Sequence, residues 1–175
     1  EKLPDWRQSA RALEKKGIVK VTRETRDEIP YRALGQSALS EPTLMPQQAQ
    51  AVDAVNEGIT AGCGTYYLFG VTGSGKTEVY LQCARYAVSL GKNAIILVPE
   101  IALTPQMVDR FRARFGEEVS VLHSGLTLAQ RRDQWQRIQS GSVRVAVGAR
   151  SAIFAPFETI GLIVVDEEHE SSYCA

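Results

Sequence analysis

The stretch Gly70-Val71-Thr72-Gly73-Ser74-Gly75-Lys76-Thr77 constrains the fold more than any other part of this chain. It meets the pattern G-x-x-x-x-G-K-[ST] at every fixed position. A loop of this kind works between a strand and a helix, because its consecutive backbone N–H groups must converge on phosphate oxygens at a helix N-terminus. The flanks agree with that placement. Tyr66-Tyr67-Leu68-Phe69 is a short aromatic and aliphatic run that predicts a buried strand, and Glu78 to Val88 predicts the following helix, ended by Gly91. Gly70, Gly73 and Gly75 let the backbone turn tightly and approach a ligand without an intervening Cβ. With Val71, Thr72 and Ser74 they would form a cradle for a triphosphate. Lys76 can reach its β- and γ-phosphates, and the Thr77 hydroxyl can hold Mg²⁺.

Beyond the loop, strands and helices alternate. Asn93 to Val98 is almost continuously apolar, which predicts a strand buried on both faces and so a parallel sheet. Thr104 can cap the next helix, with Pro105 at its first position, to about Phe115. Val119–Leu122 predicts a strand, Thr127 caps a helix through Gln139, and Val143–Val147 predicts a strand ending at Gly148. Ile160–Val165 predicts a last strand, which runs directly into Asp166-Glu167-Glu168-His169. Ahead of the loop, Gln47–Glu57 places Ala49, Val52 and Val55 on one face of a helix that Gly58 would end. The pattern gives an α/β fold with a parallel sheet and right-handed crossovers. In such sheets ligands gather at the carboxyl ends of the strands. Residues 70–77, 98–106, 122–125, 148–152 and 166–169 all lie at such ends.

The chain has 175 residues, enough for one domain or one domain with an appendage. The division expected is 1–40 and 41–175. Arg7 to Lys16 reads as a helix stopped by Gly17, and Ile18 to Thr22 as a strand. This small α+β piece fits the end of a winged helix and a plain packing appendage equally well. Residues 23–41, with Pro30 and Gly35, read as a linker. Formal net charge is zero, which neither supports nor excludes nucleic acid. Cys63, Cys83 and Cys174 are far apart, so no zinc site or disulfide framework is visible and a reduced, cytoplasmic setting is expected. No apolar run reaches membrane-spanning length. Both ends read as cuts in a longer protein.

Four polar residues directly after five apolar ones have no core explanation. Asp166 can join the Mg²⁺ shell and Glu167 can orient and deprotonate an attacking water. His169 could couple nucleotide state to a neighbouring surface through a hydrogen bond. Gln48 carries a side-chain amide suited to the edge of adenine, though alone it reads as a surface glutamine.

Taken together, these stretches resemble the superfamily-2 helicases of the DExH type, and more closely the bacterial primosomal replication-restart helicases. The matching runs are Phe69–Tyr80, Leu97–Gln106, His123–Leu126, Gly148–Phe157 and Asp166–Tyr173. The resemblance implies a RecA-like first helicase lobe, incomplete after the Asp-Glu-Glu-His motif. It implies ATP and Mg²⁺ as cofactors, Gln48 as the adenine reader, Lys76 and Thr77 on phosphates and Mg²⁺, and Asp166 and Glu167 in hydrolysis. It implies a track for single-stranded DNA along residues 98–106 and 148–152. Thr104, Gln106, Arg150 and Ser151 are the donors there that suit a phosphate backbone. By the same resemblance the partners are forked and single-stranded DNA, single-stranded-DNA-binding protein and other primosome proteins, for a monomer moving 3′ to 5′. Zinc is implied for the full-length family member, not for this chain.

Ala149 stands where the family pattern has Thr, and Cys174-Ala175 departs from its continuation. The expected fragment binds nucleotide with little turnover and is marginally stable, since the strand between the phosphate-loop strand and the acidic strand is not in it. Other readings at this stage are a fork-reversal translocase, a small-molecule kinase and a non-catalytic DNA-binding module.

Overall fold

A computed structural model of the chain describes residues 14, 42–71 and 73–168. The residues from Pro42 on belong to one compact unit, Ala33–Ala175. The expected N-terminal helix, strand and linker, and with them the 1–40 segment, lie outside the described residues except for Glu14.

Four parallel strands make the sheet: β1 (Asn93–Leu97), β2 (Val119–Leu122), β3 (Val145–Gly148) and β4 (Ile160–Val165), in the order β2-β3-β1-β4. The register pairs Ala94 with Val145 and Leu97 with both Gly148 and Val165. β1 sits between two neighbours and all five of its residues are buried, as its unbroken apolar run predicts. Ile95 and Ile96, on opposite faces of β1, are both fully buried.

The helices cover the two faces. α1 (Pro46–Ala61) packs on α2 (Lys76–Ser89) through Val52, Ile59, Val79, Cys83 and Ala87. α2 and α3 (Pro105–Phe115) cover one face with Tyr80, Leu81, Phe111 and Phe115 against Ile96 and Val147. On the other face Ile138 of α4 (Leu128–Gln139) packs with Ile95, Leu97 and Ala146. Local sequence explains the helix starts. The Thr104 and Thr127 hydroxyls each accept a backbone N–H in the first turn, at 3.3 and 3.2 Å. Pro46 and Pro105 supply the fixed φ of a first helical turn.

Two local expectations change. Tyr66–Phe69 forms no strand, and Phe69 is 85% exposed. A strand needs a neighbour for its ladder, and the edge of β4 away from β1 is paired with nothing among the described residues. The other change is at Gly58, which does not end α1. It is buried within the helix, and a side chain there would run into the Tyr66 ring. Gly62, with φ +80°, is the actual cap, and its N–H donates to the Gly58 carbonyl at 2.9 Å.

Candidate functional site

The phosphate loop leads directly into α2. Gly73 and Gly75 both have φ +83°, a left-handed conformation that side chains resist. A Cβ on Gly75 would also collide with the Gln48 amide nitrogen. Gln48 therefore needs the bare glycine. Its Nε2 donates to the Ser74 carbonyl at 2.9 Å, and its Oε1 accepts the Met45 N–H at 2.8 Å. One residue thus satisfies the backbone N–H that precedes α1 and ties that helix to the loop.

Lys76 folds back over the loop. Its Nζ donates to the carbonyls of Gly70 and Val71, the latter at 3.2 Å. The Ser74 N–H donates to the Val71 carbonyl at 3.1 Å. Gly70, Val71, Gly73, Ser74 and Gly75 thus stand as one turn before the helix, whereas Thr72 lies outside the described residues.

Asp166 arrives from the other end of the fold. It directly follows β4, and its N–H donates to the Leu97 carbonyl of β1 at 2.8 Å, which fixes its backbone to the centre of the sheet. Its Oδ1 accepts the Glu167 N–H at 3.1 Å. Glu167 has φ 51°, the only positive φ at a non-glycine among the described residues. Strain of this kind costs about 1–3 kcal/mol and collects at functional sites. Gln48, Gly75, Lys76, Thr77, Arg110 and Asp166 share the lining of one open cleft of about 790 Å³, and Glu167 borders it as well.

Three features of this cleft are not legible in the motifs. The Tyr80 hydroxyl lies 3.1 Å from Thr77 Oγ1 and 3.0 Å from Asp166 Oδ2. Burial above all raises the pKa of this phenol, so it stays protonated. Arg110 reaches the cleft wall from α3. Arg114, one turn further on, places Nη2 at 2.9 and 3.2 Å from the two oxygens of Glu78. Helix spacing in 105–115 would allow both arginines one face, but only the packing of α3 on α2 points that face at the loop.

Thr77 and Asp166 offer oxygen donors of the kind a magnesium ion takes, and the two side chains share one hydrogen-bond neighbour, the Tyr80 hydroxyl. Mg²⁺ takes one or two protein oxygens and completes its shell with phosphates and water. Bound there, it would neutralise phosphate charge.

The expected DNA-contacting residues are apart from this cleft. Thr104 and Gln106 are exposed at the start of α3, and Arg150 and Ser151 are exposed on the turn after β3. All four stand at carboxyl ends of strands, as expected. The Thr104 oxygen already caps α3. Nearby, Glu100 Oε1 accepts the Ser124 N–H at 3.1 Å, joining the loops after β1 and β2. The Ser124 side chain above all, then this backbone bond, lowers the Glu100 pKa, with His123 adding a weaker attraction. His169 lies outside the described residues.

A family model described as DEAD/DEAH box helicase matches residues 45–174. The chain belongs to the DEAD/DEAH box helicase family. Its RecA-like α/β architecture and the pairing of the phosphate loop with an acidic strand end agree with this membership. Within the family it is similar to curated proteins named replication restart protein PriA. It is 47% identical over 164 residues to that of Bacillus subtilis (strain 168). It is 49% identical over 130 residues to that of Treponema pallidum (strain Nichols). It is 43% identical over 167 residues to that of Haemophilus influenzae (strain ATCC 51907). These alignments take in 93%, 74% and 93% of this chain, and 20%, 20% and 23% of the relatives. The helicase-family chain therefore spans about a fifth of the length of the curated relatives it matches. Among the described residues no helix is long and apolar enough to cross a membrane.

Proposed function

We propose that this chain is the nucleotide-binding lobe of an ATP-driven DNA helicase of replication restart. The observation that carries the reading is the convergence of Lys76, Thr77 and Asp166 on one cleft, from segments ninety residues apart in the chain. In this reading the loop N–H groups and Lys76 hold the β- and γ-phosphates. Thr77 and Asp166 hold Mg²⁺, and Glu167 orients the attacking water. Gln48 reads adenine from its position beside the loop. His169 couples nucleotide state to the neighbouring surface. Thr104, Gln106, Arg150 and Ser151 grip the backbone of single-stranded DNA without reading bases.

The similarity to proteins named for replication restart supports that role for the whole protein. In this reading the whole protein acts at forked DNA in the bacterial cytoplasm, as a monomer moving 3′ to 5′ alongside single-stranded-DNA-binding protein and other primosome proteins. For the present chain the directly testable part is nucleotide binding. Titration calorimetry with Mg²⁺-ADP on the chain and on Lys76→Ala is the test. Binding that falls at least tenfold in the variant is expected. Equal binding by a folded Lys76→Ala chain would overturn the assignment of the phosphate site.

A further inference from the structure

We propose that Tyr80 is a positioning residue for the metal-binding pair, its hydroxyl fixing the Asp166 carboxylate and the Thr77 hydroxyl around one ion position. The inference rests on the nucleotide-site reading above and deepens it.

Tyr80 follows Thr77 by three residues on α2, so the two side chains meet on one face of the helix. The same oxygen reaches Asp166 Oδ2 at 3.0 Å, beyond the end of β4. A phenol has one proton. An ionised Asp166 can only accept, so that proton points to it, and the Thr77 hydroxyl donates in turn to the phenol oxygen, 3.1 Å away. The other Asp166 oxygen already takes the Glu167 N–H. Both carboxylate oxygens are thereby held, one by backbone and one by Tyr80.

The ring has little room to move. It is 5% exposed and stacks on Phe111 with centroids 6.5 Å apart and planes 14° from parallel. Phenylalanine would fill the same space, so packing alone does not require the hydroxyl. A buried hydroxyl without a partner would be costly. Here its partners are the two side chains suited to Mg²⁺. Groups that orient metal ligands in this way are worth 10–100-fold in metal affinity.

The test is Tyr80→Phe, read by calorimetry as Mg²⁺ titrated into the chain with saturating ADP, and as ADP binding without metal. The expected result is Mg²⁺ binding weakened about tenfold, with metal-free ADP binding and thermal midpoint little changed. In an Asp166→Asn background the same substitution costs less, since only the Thr77 contact is left to lose. An unchanged Mg²⁺ dependence overturns the proposal, as does a loss that is equal with and without metal or that is as large in Asp166→Asn as in the unmodified chain. A second readout does not depend on the variant. In the unmodified chain the ¹³Cζ resonance of Tyr80 shifts when Mg²⁺ joins the ADP complex, and a resonance that stays in place also overturns the proposal. Failure of the unmodified chain to bind ADP at all would remove the nucleotide-site reading and this inference together. Normal ADP binding with an indifferent Tyr80→Phe would remove only the inference.

Discussion

Replacing Glu78 by Ala tests whether the cleft wall is held together by charge. Glu78 sits in the first turn of α2 and meets the Arg114 guanidinium of α3 at 2.9 and 3.2 Å. The two side chains are only 17% and 14% exposed, so this is a largely desolvated pair rather than a surface one. Gln82 adds a bond to the same carboxylate at 3.1 Å. A hydrogen bond to a charged group contributes about 1.5–3 kcal/mol. An acidic residue in the first turn adds about 0.3–1 kcal/mol through the helix dipole. The expected loss is therefore about 2–4 kcal/mol. At about 2–4 °C per kcal/mol for a domain of this size, the melting midpoint should fall by roughly 5–15 °C. The assay is urea unfolding of Glu78→Ala, Arg114→Met and the double variant, with thermal melts alongside. If the pair acts as a unit, the double variant is less destabilised than the two single losses added together, by at least about 1 kcal/mol. Partial burial also means that most of the coupling should survive 1 M salt, where exposed pairs are screened. Additive single losses, or coupling that vanishes in salt, would refute the reasoning.

Two further outcomes are expected. Gly75→Ala should weaken Mg²⁺-ADP binding more than tenfold in calorimetry, because the left-handed φ alone costs about 1–2 kcal/mol and the new methyl displaces the Gln48 amide. Glu100 titrates below the ordinary carboxylate value because its ionised form accepts from the Ser124 hydroxyl and, less strongly, from the Ser124 N–H. A folded-state pKa that is lowered means that the tie is fully present above the unfolded value and is lost as pH falls through the folded one. The Ser124 amide resonance should therefore show a movement as pH falls below the usual glutamate pKa of about 4.3. In Glu100→Gln that movement should disappear.

The elements most legible in the sequence are those decided by neighbours in the chain. Thr104-Pro105 and Thr127 announce helices that begin where expected, and the apolar run of β1 foretells a strand covered on both sides. The cleft residues Lys76, Thr77 and Asp166 are legible because two motifs at the ends of a parallel sheet have few places to meet. What stayed hidden depends on distant partners. Tyr66–Phe69 has a strand's composition but finds no flanking strand to bond among the described residues. Gly58 has the look of a helix stop, yet its missing side chain makes room for the Tyr66 ring. Tyr80 falls at a core position of α2, and only the pairing of β4 with β1 brings Asp166 to its hydroxyl. The Thr104 oxygen, suited by type to a DNA phosphate, is already engaged with its own helix.

The edge of β4 that is unpaired among the described residues also bears on how the chain behaves in solution. Ile163 and Val165 are nearly half exposed there, and Tyr67, Phe69 and Val71 are more exposed still. Open backbone donors beside apolar side chains invite a second strand from any molecule that approaches. The sequence isoelectric point of about 7.0 leaves no net charge to keep copies apart at neutral pH. Colloidal stability should therefore be lowest near physiological pH and improve on either side of it. A concentrated preparation is best kept away from neutrality, well before any question of catalysis arises.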